Sequence, residues 1–419
     1  ISMVVPIEHE KSSIKLKRVG DKYIGDVVFS DGKMSIILTK KRSRNSKFKS
    51  NVLNKKRDDG KNEESIKVLK DHLSNSENKE EGINYRVHTF YYGWFGNPEI
   101  NGRYSAWNHS IIPHWIDTTW NNLEPYPGGD DIGANFFPQL GNYSSIDPKT
   151  ISTHIQQIRD AGIGVIVLSW WGRDHYTDQS VQTMLDTAQQ YGLKIAFHLE
   201  PFYKTTEEIR TQLTYISEKY MQHPAVYKPA GKPLYYLYNP FQLNYQEWDS
   251  LLNQNSSKSI RNTSLDGYFI GLWTTQFDGE FAVESSFDGV YTYFASDGFA
   301  YGSTTTNWPK MAEFASEKNL LFIPCVGPGY ADTRIRPWND KNTKAREHGK
   351  YYEDMFKKAA AVNPDFVGIT SFNEWHEGTQ IEPAIPKKIE SFTYKDYGKD
   401  KDPLFYIRET KKLVNSLSP

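Results

Sequence analysis

A single cysteine, Cys325, stands in 419 residues, so no disulfide within the chain can hold it together. Long apolar runs are missing as well: no stretch approaches the ~18 apolar residues that a bilayer span needs. No signal peptide is visible and the chain begins at Ile1, so membrane association is expected only through an anchor preceding that residue. An excess of one charge is missing too, since 50 Lys and Arg face 51 Asp and Glu. That balance gives no general reason to expect nucleic acid or an acidic membrane as partner. The zinc motif H-E-x-x-H is absent, and the turn Gly327-Pro328-Gly329 opens neither a G-x-x-x-x-G-K-[ST] nor a G-x-G-x-x-G phosphate loop. No metal and no cofactor is implied.

Aromatic residues, by contrast, are plentiful: 11 Trp, 27 Tyr and 22 Phe make up 14% of the chain. Core packing accounts for much of this, because large rings fill barrels and helix–sheet interfaces. The remainder suits a carbohydrate groove, in which rings stack on the C–H faces of sugars. Cys325 lies in the apolar run Leu320-Leu321-Phe322-Ile323-Pro324-Cys325-Val326 and is read as a buried thiol. Sequons at Asn108, Asn142, Asn255 and Asn262 permit a secretory location.

Residues 1–85 differ from the rest. Two β-like runs, 22–29 and 34–38, flank Ser30-Asp31-Gly32 in a hairpin pattern. The stretch from Lys40 to Glu81 is so rich in charge and so poor in apolar residues that a solvated, flexible stalk is expected. Over 86–419, β-like runs alternate with amphipathic helical patterns. The strand candidates are 87–94, 163–170, 193–200, 233–239, 267–273, 289–294, 320–326 and 365–371. Asp147-Pro148 reads as a helix start before Ile151, Ile155 and Ile158, with Gly162 as its stop, and Thr205 with Glu208 reads as a capping box. Continuous apolar strands alternating with helices predict a (β/α)8 TIM barrel, with a doubly wound open sheet as the rival.

In a barrel, functional groups sit just after the strands. The strand ends here carry Tyr92 and Trp94, Trp170 and Trp171, His198 and Glu200, Tyr293, Trp338, and the run Asn373-Glu374-Trp375-His376-Glu377. Carboxylates for acid–base work, tyrosine and asparagine for hydroxyls, and tryptophan for stacking are what a sugar site needs. Glu374 and Glu377, three apart after the last strand, are the candidate catalytic pair; mutual repulsion would leave one protonated and the other ionised. A metal site built from Glu374, His376 and Glu377 is one alternative, and a sugar-binding barrel without turnover is another. His198 and Glu200, two apart on a strand, share a face that can carry both into the mouth, with a buried, satisfied histidine as the alternative.

Tyr91-Tyr92-Gly93-Trp94-Phe95-Gly96-Asn97-Pro98, Asp130-Asp131-Ile132-Gly133, His198-Leu199-Glu200-Pro201 and Tyr291-Thr292-Tyr293-Phe294 belong to one pattern. So do Val326-Gly327-Pro328-Gly329-Tyr330, Arg336-Pro337-Trp338-Asn339 and Phe372-Asn373-Glu374-Trp375-His376-Glu377-Gly378-Thr379-Gln380-Ile381-Glu382. Together they resemble the endo-α-1,2-mannosidase family of glycoside hydrolases, over roughly residues 86 to 416 and with animal Golgi members the most similar. The resemblance implies a (β/α)8 barrel and metal-independent, retaining cleavage of internal α-1,2-mannosidic bonds. The implied substrate is a mannose-containing oligosaccharide or N-glycoprotein, from whose glucosylated high-mannose glycan a glucosyl-mannose disaccharide leaves by way of a 1,2-anhydro sugar. Glu374 would be the base toward the sugar 2-hydroxyl and Glu377 the general acid. Glu200, Tyr92 and Tyr293 would position the reacting mannose, with His198, Trp338 and Asn373 as further contacts. The implied location is the Golgi lumen, or outside the cell. The chain departs from the animal pattern after the second strand, where Trp170-Trp171-Gly172-Arg173-Asp174-His175 leads almost directly into a helix. That shortening leaves a mannose-capped substrate open beside the glucose-capped one.

Overall fold

Strands that are apolar on both faces need cover on both, and a ring of parallel strands wrapped in helices supplies it. The computed structural model describes residues 13–19, 22–29, 32–39, 60–74, 79–80, 82–114, 124–398 and 402–417. Strands β1 (Ile83–Tyr91), β2 (Ile163–Trp170), β3 (Lys194–Leu199), β4 (Leu234–Leu237), β5 (Tyr268–Leu272) and β6 (Gly289–Tyr291) pair in order, all parallel. Strand β7 is split into Leu321–Ile323, which pairs with β6, and Cys325–Val326, which pairs with β8 (Val367–Ile369). Between the two pieces Pro324 has no N–H for the ladder, but its carbonyl still accepts from Gly368 at 3.0 Å. Strand β8 returns to β1 through Val367↔Val87, and the barrel closes.

A helix follows each strand: α1 (Pro148–Asp160), α2 (Val181–Gln190), α3 (Thr206–Lys219), α4 (Tyr245–Leu252), α5 (Asp278–Glu284), α6 (Trp308–Glu317), α7 (Lys350–Ala360) and α8 (Phe405–Ser416). The expected caps are formed. Asp147 accepts from Lys149 N–H at 3.1 Å, and Thr205 and Glu208 exchange bonds in a capping box. Ile151, Ile155 and Ile158 are buried on the inner stripe of α1.

Much of the aromatic content fills the lumen. Phe90 on β1 meets His198 on β3, Tyr236 on β4 and Tyr291 on β6, with ring centroids 5.1–5.7 Å apart. Below this layer His88 bonds the Tyr236 hydroxyl at 2.6 Å. Cys325 is buried as expected, and desolvation pushes its thiol up to about 12, which keeps it protonated and inert. Of the four sequon asparagines, Asn255 and Asn262 are exposed, while Asn108 and Asn142 are partly covered.

The charged N-terminal stretch departs from expectation within its described part. Gly60–Ser74 forms a helix that buries Ile66, Leu69 and Leu73 in the core of the barrel unit. Ser65 bonds Tyr268 at the start of β5, and Lys70 lies 3.8 Å from Asp365 just before β8, so this helix lies at the N-terminal ends of the strands. The i, i+3, i+7 spacing of three apolar residues makes a sufficient stripe even in a charged segment, each burial contributing about 1.5–3 kcal/mol. The unit containing the barrel therefore spans 59–111 and 123–419, and the division expected at residue 85 falls inside it.

Residues 1–58 and 112–122 form a second unit. Its described strands, Ser13–Val19, Lys22–Phe29 and Gly32–Thr39, make an antiparallel sheet in which Phe29 pairs with Gly32. The hairpin read at 22–38 is present, and a third strand, 13–19, joins it. Residues 40–59, the first part of the expected stalk, lie outside the described residues. Among the described residues no helix is long and apolar enough to cross a membrane.

Candidate active site

Alternation along the strands decides which side chains reach the mouth. On β1 and the residue after it, Phe90 and Tyr92 point inward, while Tyr91 points outward and bonds His154 of α1 at 2.9 Å. On β2, Ser169 points inward and donates to Glu200 at 2.8 Å. Tyr236 and Tyr238 follow the same rule around β4, as do Tyr291 and Tyr293 around β6. The result is an upper layer of Tyr92, Glu200, Tyr238 and Tyr293 above the packed lumen. The hydroxyls of Tyr92 and Tyr293 bond each other, and burial holds both phenols well above their ordinary pKa, so they remain neutral hydrogen-bonding groups. Tyr293 sits at φ 53°, in the left-handed region, and the hydroxyl of Thr370 after β8 donates to its carbonyl. Holding an aromatic residue there costs about 1–2 kcal/mol, which the packed mouth sustains.

The loop after β8 supplies the carboxylates. Glu374 N–H donates to Ser371 Oγ at 2.7 Å, Gly378 N–H to Trp375 O at 3.2 Å and Thr379 N–H to Glu374 O at 3.3 Å, folding the loop back on itself. Gly378 turns at φ 62°, where a Cβ would stand 2.6 Å from Ala331 O, so glycine is required. The neighbouring loop holds this one in place through Ala331 N–H, which donates to Glu377 O at 2.8 Å. Underneath, the buried Glu382 accepts from Trp375 Nε1 and Tyr143 Oη, both at 2.8 Å, and lies 3.1 Å from His154 Nε2. Trp375 is thereby locked between the two candidate catalytic residues.

Three carboxylates share this mouth. Glu374 is 4% exposed, and its Oε1 accepts from His376 N–H at 3.0 Å and lies 3.2 Å from His376 Nδ1. Glu377 keeps 17% of its side-chain surface open, and its Oε1 lies 3.6 Å from Arg336 Nη1. Desolvation raises Glu377 to about 8; Arg336 opposes the rise, and the charges of Glu374 and Asp332 add to it. Glu200 is also pushed up to about 8, by burial first, against the Ser169 hydrogen bond and with help from Glu374. Among the described residues no three His, Cys, Asp or Glu side chains group as metal ligands.

Other expected site residues distribute unevenly. Trp94 packs against Tyr92 with ring centroids 4.5 Å apart and planes tilted by 33°, and Trp171 lies 6.1 Å from the His175 ring; both are half-buried, and neither indole N–H has an acceptor among the described residues. Trp338 is half-buried in the short helix Pro337–Asn342 after β7. Three residues expected to touch substrate are instead fully buried, at 0% exposure. Trp170 follows inward Ser169, so it faces the helix layer, where its Nε1 donates to Asp178 at 2.8 Å. Asn373 spends its amide on the backbone of Tyr92, accepting its N–H at 2.7 Å and donating to its carbonyl at 2.9 Å, and so ties the end of β1 to the β8 loop. His198 points inward as expected but lies below the mouth, bonded to Tyr291 Oη at 2.8 Å and 3.3 Å from Glu200 Oε1. Burial lowers its pKa to about 3, so it is a neutral support for Glu200.

The sequence reading passed over Asp332, Tyr238 and the special place of Arg336. Tyr238 had a signal, since it shares strand parity with inward Tyr236. Asp332 and Arg336 follow β7 within the loop that carries Arg336-Pro337-Trp338-Asn339, but nothing in their spacing says which of the several charges there faces the mouth.

Comparison with known proteins agrees with this geometry. Residues 82–419 match glycosyl hydrolase family 99. The chain is 44% identical over 353 residues to the glycoprotein endo-α-1,2-mannosidase of Rattus norvegicus, covering 80% of this chain and 76% of that one. It is 45% identical over 343 residues to the Xenopus laevis protein of the same name, covering 78% and 76%. The structure of the GH99 endo-α-mannosidase from Bacteroides thetaiotaomicron superposes with a TM-score of 0.77 at 43% identity, covering 80% of this chain and 98% of that one.

Proposed function

The chain belongs to glycosyl hydrolase family 99 and is a glycoside hydrolase, and on that premise we propose that it is a retaining endo-α-1,2-mannosidase acting on mannose-containing N-glycans. The observation that carries this reading is that one loop after β8 delivers both Glu374 and Glu377 into the buried, ring-lined mouth; desolvation, which favours the proton on Glu377, supports it.

In the proposed reaction Glu374 removes the proton from the 2-hydroxyl of the mannose as O2 attacks C1. The C1–O glycosidic bond breaks and Glu377 delivers its proton to the leaving oxygen. A 1,2-anhydro sugar results. Water then attacks C1, giving one proton to ionised Glu377, while Glu374 returns its proton to O2. Two inversions leave the anomeric configuration retained. The neighbouring hydroxyl owes its reactivity to proximity, so the protein need only orient and deprotonate it. In this scheme Tyr92, Tyr293 and Glu200 hold the reacting ring, Trp94, Trp171 and Trp338 border it, and His198 and Asn373 act through Glu200 and Tyr92. The likeness to animal glycoprotein endo-α-1,2-mannosidases supports a secretory-pathway location, in the Golgi lumen or beyond it, as part of this proposal.

Digestion of matched glucose-capped and mannose-capped oligosaccharides tests the reading. Release of an α-linked disaccharide supports it, and the relative rates assign the cap. Binding without cleavage would make the protein a sugar-binding barrel instead.

A further inference from the structure

Arg336 stands beside Glu377, yet it does not neutralise it. Its Nη1 lies 3.6 Å from Glu377 Oε1 but 3.1 Å from Asp332 Oδ2. Asp332 is completely buried, and its Oδ2 also accepts from Tyr330 Oη and Asn339 Nδ2, both at 2.8 Å. The backbone reinforces the arrangement: Asp332 O accepts from Ile335 N–H at 3.0 Å and Arg336 N–H at 2.7 Å, a turn that sets where the arginine emerges. Ala331 N–H, one residue earlier, binds the carbonyl of Glu377 itself. The two loops are therefore held in register, and the guanidinium is shared unequally between two carboxylates.

We propose that Asp332 and Arg336 are a positioning pair that sets how firmly Glu377 holds its proton, with Asp332 drawing the guanidinium away from the acid. The proposal rests on the reading of Glu377 as the general acid. The charged and titratable groups facing Glu377 are Arg336 from the β7 loop, Asp332 behind it and Glu374 on its own loop, with the phenols of Tyr330, Tyr92, Tyr238 and Tyr293 around them. Asp332→Asn removes one anion and frees Arg336 to pair with Glu377, and both changes favour the ionised acid. Arg336→Met removes the cation and favours the protonated acid. The two substitutions therefore act in opposite directions, whereas loss of a merely structural contact has no reason to do so.

The test is the alkaline limb of kcat/KM against pH, which reports groups of the free enzyme, measured alongside a 13C titration of the glutamate carboxyls that needs no turnover. Asp332→Asn is expected to move the Glu377 titration and the limb down by about one unit, and Arg336→Met to move them up by about one unit. Arg336→Lys, which keeps the charge, should stay near wild type; if Asp332→Asn fails to fold, the Met and Lys variants at 336 still decide the matter. Limbs that stay in place, or that move in the same direction, overturn the proposal. Glu377→Gln separates the two levels. If it is inactive while the limbs are unmoved, the positioning claim fails alone; if it is active, the reading of Glu377 as acid fails.

Discussion

At the N-terminal ends of the strands, helix Gly60–Ser74 seats Ile66, Leu69 and Leu73 in the core. At the C-terminal ends the same strands and their loops surround Glu200, Glu374 and Glu377, all removed from water to differing degrees. One end buries groups that gain by leaving solvent; the other buries groups that lose by it. Two carboxyls raised to about 8 and a tyrosine at positive φ are the marks of the second kind. Stability and chemistry are thus assigned to opposite ends of the barrel, and substitutions should separate them.

The largest expected effect is at the mouth. Glu374→Gln or Glu377→Gln should lower kcat/KM by about 10³-fold or more while circular dichroism and Tm stay near wild type, because the amide keeps the shape of the carboxyl but can neither take up nor deliver the proton. At the opposite end, Leu69→Ala should cost about 2–5 kcal/mol of stability through the cavity it leaves, with kcat unchanged in enzyme that is still folded; denaturant unfolding and steady-state kinetics measure the two sides.

Smaller effects sharpen the contrast. Asn373→Ala leaves the N–H and carbonyl of Tyr92 unpaired in a dry site, at a cost of about 1–3 kcal/mol, and should lower activity along with stability, since this residue serves both. Glu200 gives a pH-dependent signature. Its folded-state pKa is raised from 4.5 to about 8, so it favours the fold below the unfolded value and loses that contribution as pH climbs through the folded one. Glu200→Gln should therefore gain in Tm over wild type increasingly between about pH 5 and about pH 9. The smallest expected effect is none at all: a strong chelator should leave turnover unchanged.

The sequence revealed the two ends unequally. Eight apolar runs and their caps were legible because periodicity and capping are local. Even the break at Pro324 left its strand recognisable. The helix at 60–74 was not foreseen, because three apolar residues among many charges look solvated until a barrel end is there to receive them. At the mouth, Glu374, Glu377, Glu200, Tyr92 and Tyr293 were legible from their place after strands. Trp170 was misassigned because the choice between mouth and helix layer depends on a parity that only Ser169, bonded to Glu200, fixes. Asn373 was misassigned for a related reason: a polar side chain at a strand end satisfies a backbone as readily as a ligand. Asp332 and Arg336 were missed because their meaning lies in two distances, 3.1 and 3.6 Å, that link one loop to another.

The most direct test of the central claim is a 13C titration of the side-chain carboxyls in enzyme labelled at glutamate. Two resonances that keep their proton to about pH 8, one of which vanishes in Glu377→Gln and the other in Glu200→Gln, are the predicted result. If instead Glu377 has lost its proton by about pH 6, the mouth holds no acid for the leaving sugar and the division of labour between Glu374 and Glu377 is wrong.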